Sequence, residues 1–314
     1  MLLKHGLDET KFQAVSTIGG VIATSEYELL SESAGLVDRS DRAKFVVRGG
    51  EAAEFLQGQV SNDVEALAPG TGCYAVILNH KGKLRTDLRV LRGEDFFWLD
   101  TEAIGHAVVD HMLRTKALGR DVQWEDVTAT RALASVVGPA ARELFEGPEH
   151  SFEERDGRMY VATALGVDVI GEPGVELGFE TVSEEAAECL RIESGRPRLG
   201  LDMDAETMPQ EAGINERAVS FTKGCYIGQE TVARLHYRGK PNRHLRGLRL
   251  AEPAERGTEV MLGEKVVGRL GSVCVSPRLG PIALALVRRE AAPGDTVSVA
   301  GAEAELVALP FDRD

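Results

Sequence analysis

Apolar positions recur along the chain with two periods, and where each holds divides the molecule. Through the first two thirds, runs with a spacing near 3.6 alternate with runs of period 2, the marks of half-buried helices and strands. Ser25 and Glu28 have capping-box spacing and predict a short helix carrying Tyr27, Leu29 and Leu30, closed by Gly35. Lys44 to Val47 reads as a strand, and Glu51 to Gln57 as a helix with Ala52, Ala53, Phe55 and Leu56 inward. Tyr74 to Leu78 and Leu84 to Leu91 predict a hairpin about His80-Lys81-Gly82-Lys83. Its alternation sets Leu84, Thr86, Leu88 and Val90 on one face and Arg85, Asp87 and Arg89 on the other. There the two guanidiniums are expected to keep Asp87 ionised, either at a site or in a surface ladder of ion pairs.

Thr101 to Leu118 predicts a long amphipathic helix with Ile104, Ala107, Val108, His111, Met112 and Leu118 on one side. Strands follow near Val122 to Thr130 and Ala132 to Val137, then a brief helix from Ala140 to Phe145 and an acidic loop from Glu146 to Gly157. Two more strands, Met159 to Ala164 and Val167 to Ile170, precede a helix capped by Ser183 and stopped by Gly195 and Pro197. Helices and strands interleave without βαβ regularity and G-x-G-x-x-G is absent, so this region is α+β and not a dinucleotide-binding fold. From Arg246 the texture changes to short β-type runs divided by glycine and proline, which predicts a small all-β barrel or sandwich over 246–314 after a first region of 1–245.

Composition adds exclusions. A chain of 314 residues with 43% hydrophobic content has no apolar run near the ~20 residues of a membrane span, and Met1 to Glu9 is too acidic for a secretory signal. Four cysteines without a C-x-x-C argue against a disulfide framework and against a local metal site, and place the protein in the cytoplasm. A net charge of −14 opposes binding to nucleic acid or an anionic membrane. Lys223, Arg234, Arg238, Lys240, Arg243 and Arg246 reverse that sign locally, against Glu230 alone. They suit either an anionic ligand or a solvated helix and turn.

That zone abuts Lys223-Gly-Cys-Tyr-Ile-Gly-Gln-Glu230, whose glycines suggest a sharp turn before a helix from Glu230 to Arg238. Cys225 would then precede a helix N-terminus beside Lys223, and both favour a thiolate. The alternative is a small space-filler.

The same eight residues resemble the signature of the YgfZ family, folate-binding proteins related to the glycine-cleavage T-protein (GcvT). Gly178-Phe179-Glu180 is similar to the family's Gly-aromatic-Glu strand, and Arg191-Ile-Glu193-Ser-Gly195-Arg-Pro197 to its Arg-x-Glu-x-Gly-x-Pro segment. Pro209-Gln-Glu211, Phe55 to Val64, Gly268-Arg-Leu-Gly-Ser272 and Ser276-Pro277 also match, so the likeness covers most of the chain. It implies two interleaved α+β domains, the inner one spanning roughly 48–125, and a C-terminal β-barrel about a channel that holds tetrahydrofolate or a one-carbon derivative. It further implies folate contacts at Glu193, Arg191, Glu180, Tyr226, Gln229 and Arg234, chemistry at Cys225, Asp87 and Lys223, and iron–sulfur client or assembly proteins as partners. Glu193 suits a pterin because one carboxylate accepts an amino group and a ring N–H together. T-proteins carry an Asp-Asp pair where this chain has Thr86-Asp87. That departure favours assistance to iron–sulfur cluster assembly or repair over aminomethyl transfer, which is the rival reading.

Overall fold

The computed structural model describes residues 23–174 and 176–312, so Met1 to Glu9 lies outside the described residues. Elements are labelled in chain order. Helix α1 (Thr24–Glu32) and strand β1 (Gly35–Asp38) lead to β2 (Ala43–Arg48), α2 (Ala52–Gln59), β3 (Thr71–Leu78), β4 (Leu84–Arg92), β5 (Phe97–Thr101), α3 (His106–Lys116) and β6 (Gln123–Asp126). β2 to β6 form one antiparallel sheet in the order β3-β4-β5-β2-β6. Period-2 alternation gives it an apolar face, where Phe45, Val47, Leu88, Val90 and Leu99 meet Phe55 and Leu56 of α2 and Val109 and Met112 of α3.

The phase of α3 differs from the expected one. Thr101 ends β5 and Ala103–Gly105 make a 3₁₀ turn, so the helix starts at His106 and buries Val109, Met112 and Leu113. Ile104, Leu118 and His111 are exposed.

The second sheet, in the order β1-β7-β10-β9-β8, joins β1 to β7 (Ala132–Val137), β8 (Phe152–Arg155), β9 (Arg158–Ala162) and β10 (Gly166–Gly171). Because the first sheet is inserted between β1 and β7, the two α+β domains interleave. β8 occupies part of the expected loop: Phe152 is buried while Glu153, Glu154 and Arg155 are not, so one apolar residue among charges concealed the strand. The expected helix from Ala140 is a 3₁₀ turn, Pro139–Glu143.

α1 corrects the capping-box expectation. Its N-cap is Ala23 with no side-chain cap, and Ser25 lies inside the helix. Glu26 instead accepts the Ser183 N–H at 3.2 Å and the Ser183 hydroxyl. Gly35 opens β1 rather than closing the helix. Ser183 does cap α4 (Glu184–Glu193), accepting from the Ala186 N–H at 3.3 Å.

After α5 (Asn215–Ala218) and α6 (Gln229–Arg238), the strands β11 (Arg243–Leu250), β12 (Glu259–Leu262), β13 (Lys265–Ser276), β14 (Gly280–Arg288), β15 (Thr296–Val299) and β16 (Ala302–Val307) close into a barrel, which leaves this third sheet without a free edge. Leu248, Val260, Ala283, Val287, Val297 and Leu306 fill it. β13 unites two runs that the sequence pattern separates, with a register shift between Leu270 and Val273. Helix α4 joins barrel to body: Ala186, Cys189 and Ile192 pack with Tyr27 and Leu30 of α1 and with Ile282, Leu284 and Phe311. Among the described residues no helix is long and apolar enough to cross a membrane.

Candidate functional site

The polar face of the β3–β4 hairpin builds the site. Tyr74 pairs with Arg89 and Val76 with Asp87, so alternation places Tyr74, Asp87 and Arg89 on one side of the sheet. The Tyr74 hydroxyl donates to Asp87 Oδ2 at 2.7 Å. Asp87 Oδ1 is buried with no partner among the described residues. Burial raises the Asp87 carboxyl above its ordinary pKa, a shift that the Tyr74 hydrogen bond opposes and Glu102 reinforces. Its backbone is fixed from beneath, since its carbonyl accepts from Thr101 Oγ1 at 2.6 Å and Thr86 Oγ1 at 3.0 Å.

The expected flanking guanidiniums are absent from Asp87. Arg85 is exposed. Arg89 is buried and bonds Asp100 Oδ2 at 2.8 Å, directly across the strand pair, and Asp168 Oδ2 of the second sheet at 2.7 Å. Arg42 also holds Asp100, and Ser135 holds Asp168 at 2.6 Å. Two carboxylates from other strands therefore outcompete Asp87 at i−2, and Arg89 ties sheet to sheet in place of an ion-pair ladder.

Arg217 at α5 stands over the Tyr74 ring, 5.2 Å from its centroid. Among the described residues its guanidinium makes no ion pair, and burial together with Arg196 lowers its pKa. Glu149 pairs bidentately with Arg196 at 2.6 and 2.9 Å. His150 adopts φ 70° and its buried Nδ1 has no partner among the described residues. Burial and Arg89 pull the imidazole down to about 4, so it is neutral at pH 7. This polar cluster thus presents an unpaired cation, a half-engaged buried carboxyl and a neutral imidazole. A reduced folate fits such a set, because its pterin and amide N–H groups need acceptors and its glutamate end needs a cation. Arg217, Tyr74, Glu149 and His150 escaped the sequence reading. Only Tyr74 left a usable signal, by sharing the face of Asp87.

The sequence-selected residues fall in three other places. Glu193, at the end of α4, borders a cavity of about 1070 Å³ together with Arg196, Arg278, Tyr27, Arg142 and Phe311. Its carboxylate accepts from Tyr27 at 2.9 and 3.1 Å, Ser276 at 2.5 Å and Arg278 at 3.2 Å. Arg196 lines this cavity and also pairs with Glu149 of the Asp87 cluster. Arg191 is buried on Glu188, on Asp202 at 3.0 Å and on Ser272 at 2.6 Å, rather than on Glu193.

The turn from Lys223 is the second place. Lys223 is buried, and its ammonium donates to the carbonyls of Gln57, Val60 and Asn62 at 2.5, 2.8 and 2.9 Å. Burial draws it down to about 8. It lies 5.1 Å from the centroid of the Tyr226 ring, whose hydroxyl burial pushes up to about 12 and leaves unpartnered among the described residues. The expected partnership of Lys223 with Cys225 is therefore overturned, since the loop carbonyls take all three ammonium protons while Cys225 is exposed. Gly228 is required at φ 86°, where a Cβ would lie 2.5 Å from the Asn79 carbonyl, so the motif seats on the hairpin turn. Gly224 borders open space. Gln229 opens α6, and its amide reaches the Lys223 carbonyl at 3.5 Å.

Glu180, the third, is exposed just after a bend at Gly178-Phe179 instead of in a strand, and its carbonyl accepts the Leu36 N–H at 2.8 Å. The cationic zone also divides: Arg243 pairs with Glu211 at 2.9 Å and Arg246 bonds the Leu245 carbonyl, while Arg234, Arg238 and Lys240 are exposed. Among the described residues no three His, Cys, Asp or Glu side chains are grouped to hold a metal.

The family model of the GCVT N-terminal domain matches residues 16–164, and that of the glycine cleavage T-protein C-terminal barrel domain matches residues 243–312. An aminomethyltransferase of Prosthecochloris aestuarii is 30% identical over 93% of this chain and 91% of its own. An uncharacterized protein of Haemophilus influenzae is 30% identical over 68% of this chain and 74% of its own. The crystal structure of the glycine cleavage system aminomethyltransferase T from Bartonella henselae has a TM-score of 0.83 at 24% identity, covering 92% of this chain and 89% of that one, and shares the fold.

Proposed function

Since the chain belongs to the glycine-cleavage T-protein family, we propose that it binds tetrahydrofolate or a one-carbon derivative at the Asp87 cluster and acts on the one-carbon unit there. The observation that carries this reading is Asp87 itself: a buried carboxyl with a raised pKa, one oxygen held by Tyr74 and the other unpartnered among the described residues. Bound tetrahydrofolate supplies a nitrogen that carries one carbon. Asp87 Oδ1 holds or takes the proton at that nitrogen, Tyr74 fixes the carboxyl's orientation, and Arg217 holds an anionic part of the ligand. Thr86, where T-proteins have their first aspartate, is buried on the opposite face and bonds Thr101 at 2.9 Å beneath Gly105. Position 86 thus lies on the other face of the sheet from the Asp87 carboxyl, so its threonine leaves the proton-transfer role with Asp87. Glu193, Arg191, Glu180, Tyr226, Gln229 and Arg234 remain proposed folate-linked positions that act outside the Asp87 cluster.

Aminomethyl transfer is the finer reading that the family relatives support. A second, assistance to iron–sulfur cluster assembly or repair with the cluster as cargo, is favoured by Cys225, an exposed thiol held on a turn whose shape Gly228 enforces. Incubation with tetrahydrofolate and an aminomethylated lipoyl carrier separates them. Release of methylenetetrahydrofolate at enzymatic rates supports transfer. Folate binding without release, together with reduced activity of several iron–sulfur enzymes in a deletion strain, supports the second reading. No folate binding in titration calorimetry overturns both.

A further inference from the structure

Two cysteines that the Asp87 cluster does not use meet inside the molecule. Cys189 on α4 and Cys274 on β13 are 85 positions apart in sequence, yet their sulfurs are 3.4 Å apart and both side chains are buried. Polar clamps hold the same helix and strand together on either side of the pair: Arg191 donates to Ser272 at 2.6 Å and Ser276 donates to Glu193 at 2.5 Å. Residues 272, 274 and 276 alternate along one face of β13, and 189, 191 and 193 occupy the last two turns of α4. The backbone is thus already fixed with the two thiols facing each other, so little chain entropy is lost by joining them. Cys189 Sγ also lies 3.8 Å from Glu193 Oε1, at the edge of the large cavity.

We infer that Cys189 and Cys274 form an oxidative modification site at which a small hydroperoxide closes an intramolecular disulfide between α4 and the barrel. One sulfur attacks the O–O bond, becomes a sulfenic acid and releases water. The second thiol then attacks that sulfur, displacing hydroxide, which leaves as water with the second thiol's proton. Two thiols and one hydrogen peroxide give one disulfide and two waters. Cys274, at 9% exposure, is the side from which peroxide enters. The hydrogen bond with the Cys274 thiol, and then burial, hold Cys189 far above the usual thiol range, so closure is slow compared with oxidation of the exposed Cys225. The link ties the element bearing Glu193 and Arg191 to the barrel and constrains the unfolded chain through a long loop. It does not depend on the folate reading.

The test treats the full chain with hydrogen peroxide, alkylates it without reduction and maps its peptides by mass spectrometry. The expected result is one linked peptide pair containing Cys189 and Cys274, formed more slowly than oxidation of Cys225, with a thermal midpoint several degrees above that of the reduced protein and restored by dithiothreitol. Cys189→Ser and Cys274→Ala should each remove both the link and the shift. Because the mapping is done on the natural chain, failure of either variant to fold leaves the result intact. Peroxide treatment that oxidises Cys225 fully while Cys189 and Cys274 stay reduced, or that yields sulfinic acids without a link, overturns the inference.

Discussion

The ammonium of Lys223 reaches the main-chain carbonyl of Gln57, 166 positions earlier, at 2.5 Å. With the Val60 and Asn62 carbonyls it forms a closed cage, so Lys223 anchors the motif turn to the end of α2. Lys223→Met removes the donor and leaves three carbonyls without it. The expected loss of stability is about 2–4 kcal/mol, because hydrogen bonds to a charged group and the desolvation of orphaned partners both contribute. Urea denaturation checks it, and a loss below about 0.5 kcal/mol would mean that water replaces the ammonium.

Cys225 is expected to be the first thiol alkylated in the folded protein. It is exposed, whereas Cys189 and Cys274 are buried and burial pushes Cys73 up to about 12. Timed iodoacetamide labelling read by mass spectrometry gives the order. Cys225→Ser should unfold at the same midpoint as the natural chain, since its side chain fills no core. Equal labelling of Cys225 and Cys73 would show that the turn shields its thiol.

What the sequence made legible follows from the range of each interaction. Strand alternation placed Asp87 on the correct face, because side-chain direction in a strand depends only on local backbone. It could not supply Asp87's partner, since Arg89 is claimed by Asp100 and by Asp168 from another sheet. Gly228 was legible because a left-handed turn demands glycine, while the direction of Lys223 depends on a loop more than 160 positions away. An all-β last domain was legible from glycine-divided β runs, but its closure into a barrel rests on the pairing of β11 with β16, and it starts at Arg243, before the texture changes. The cluster escaped because Tyr74, the adjacent Glu149 and His150, and Arg217 come from three separate segments, and only Tyr74 carried a local signal.

Glu193 should prove structural and functional at once. Glu193→Ala leaves the Tyr27 hydroxyl, Ser276 and Arg278 without their shared acceptor, and is expected to lower stability by about 2–4 kcal/mol. Glu193→Gln keeps the shape and one acceptor oxygen, so it should retain most of that stability. Tetrahydrofolate affinity of the Gln variant, by calorimetry, then isolates any direct contact: a loss of about 2 kcal/mol or more assigns the carboxylate to the ligand. Unchanged affinity leaves Glu193 as the clamp between α4 and the barrel.

Asp87 makes the sharpest pH-dependent claim. Burial raises its folded pKa above the ordinary carboxyl value of 3.8, so the fold favours the protonated form. The associated stability is present in full below the ordinary carboxyl range and is lost as pH rises through the raised value. Asp87→Asn cannot ionise, keeps an acceptor for Tyr74, and is free of that loss. Its thermal midpoint is therefore expected to gain on the natural chain as pH goes from acid to neutral. The same variant should lose about a hundredfold or more in folate-dependent one-carbon transfer, the usual contribution of one positioned acid–base group, while retaining most of its affinity for tetrahydrofolate. Differential scanning calorimetry across pH and a methylenetetrahydrofolate assay read the two effects separately. A variant with full transfer activity would remove Asp87 from the chemistry, and one whose midpoint tracks the natural chain at every pH would show that the carboxyl titrates as it does in the unfolded chain.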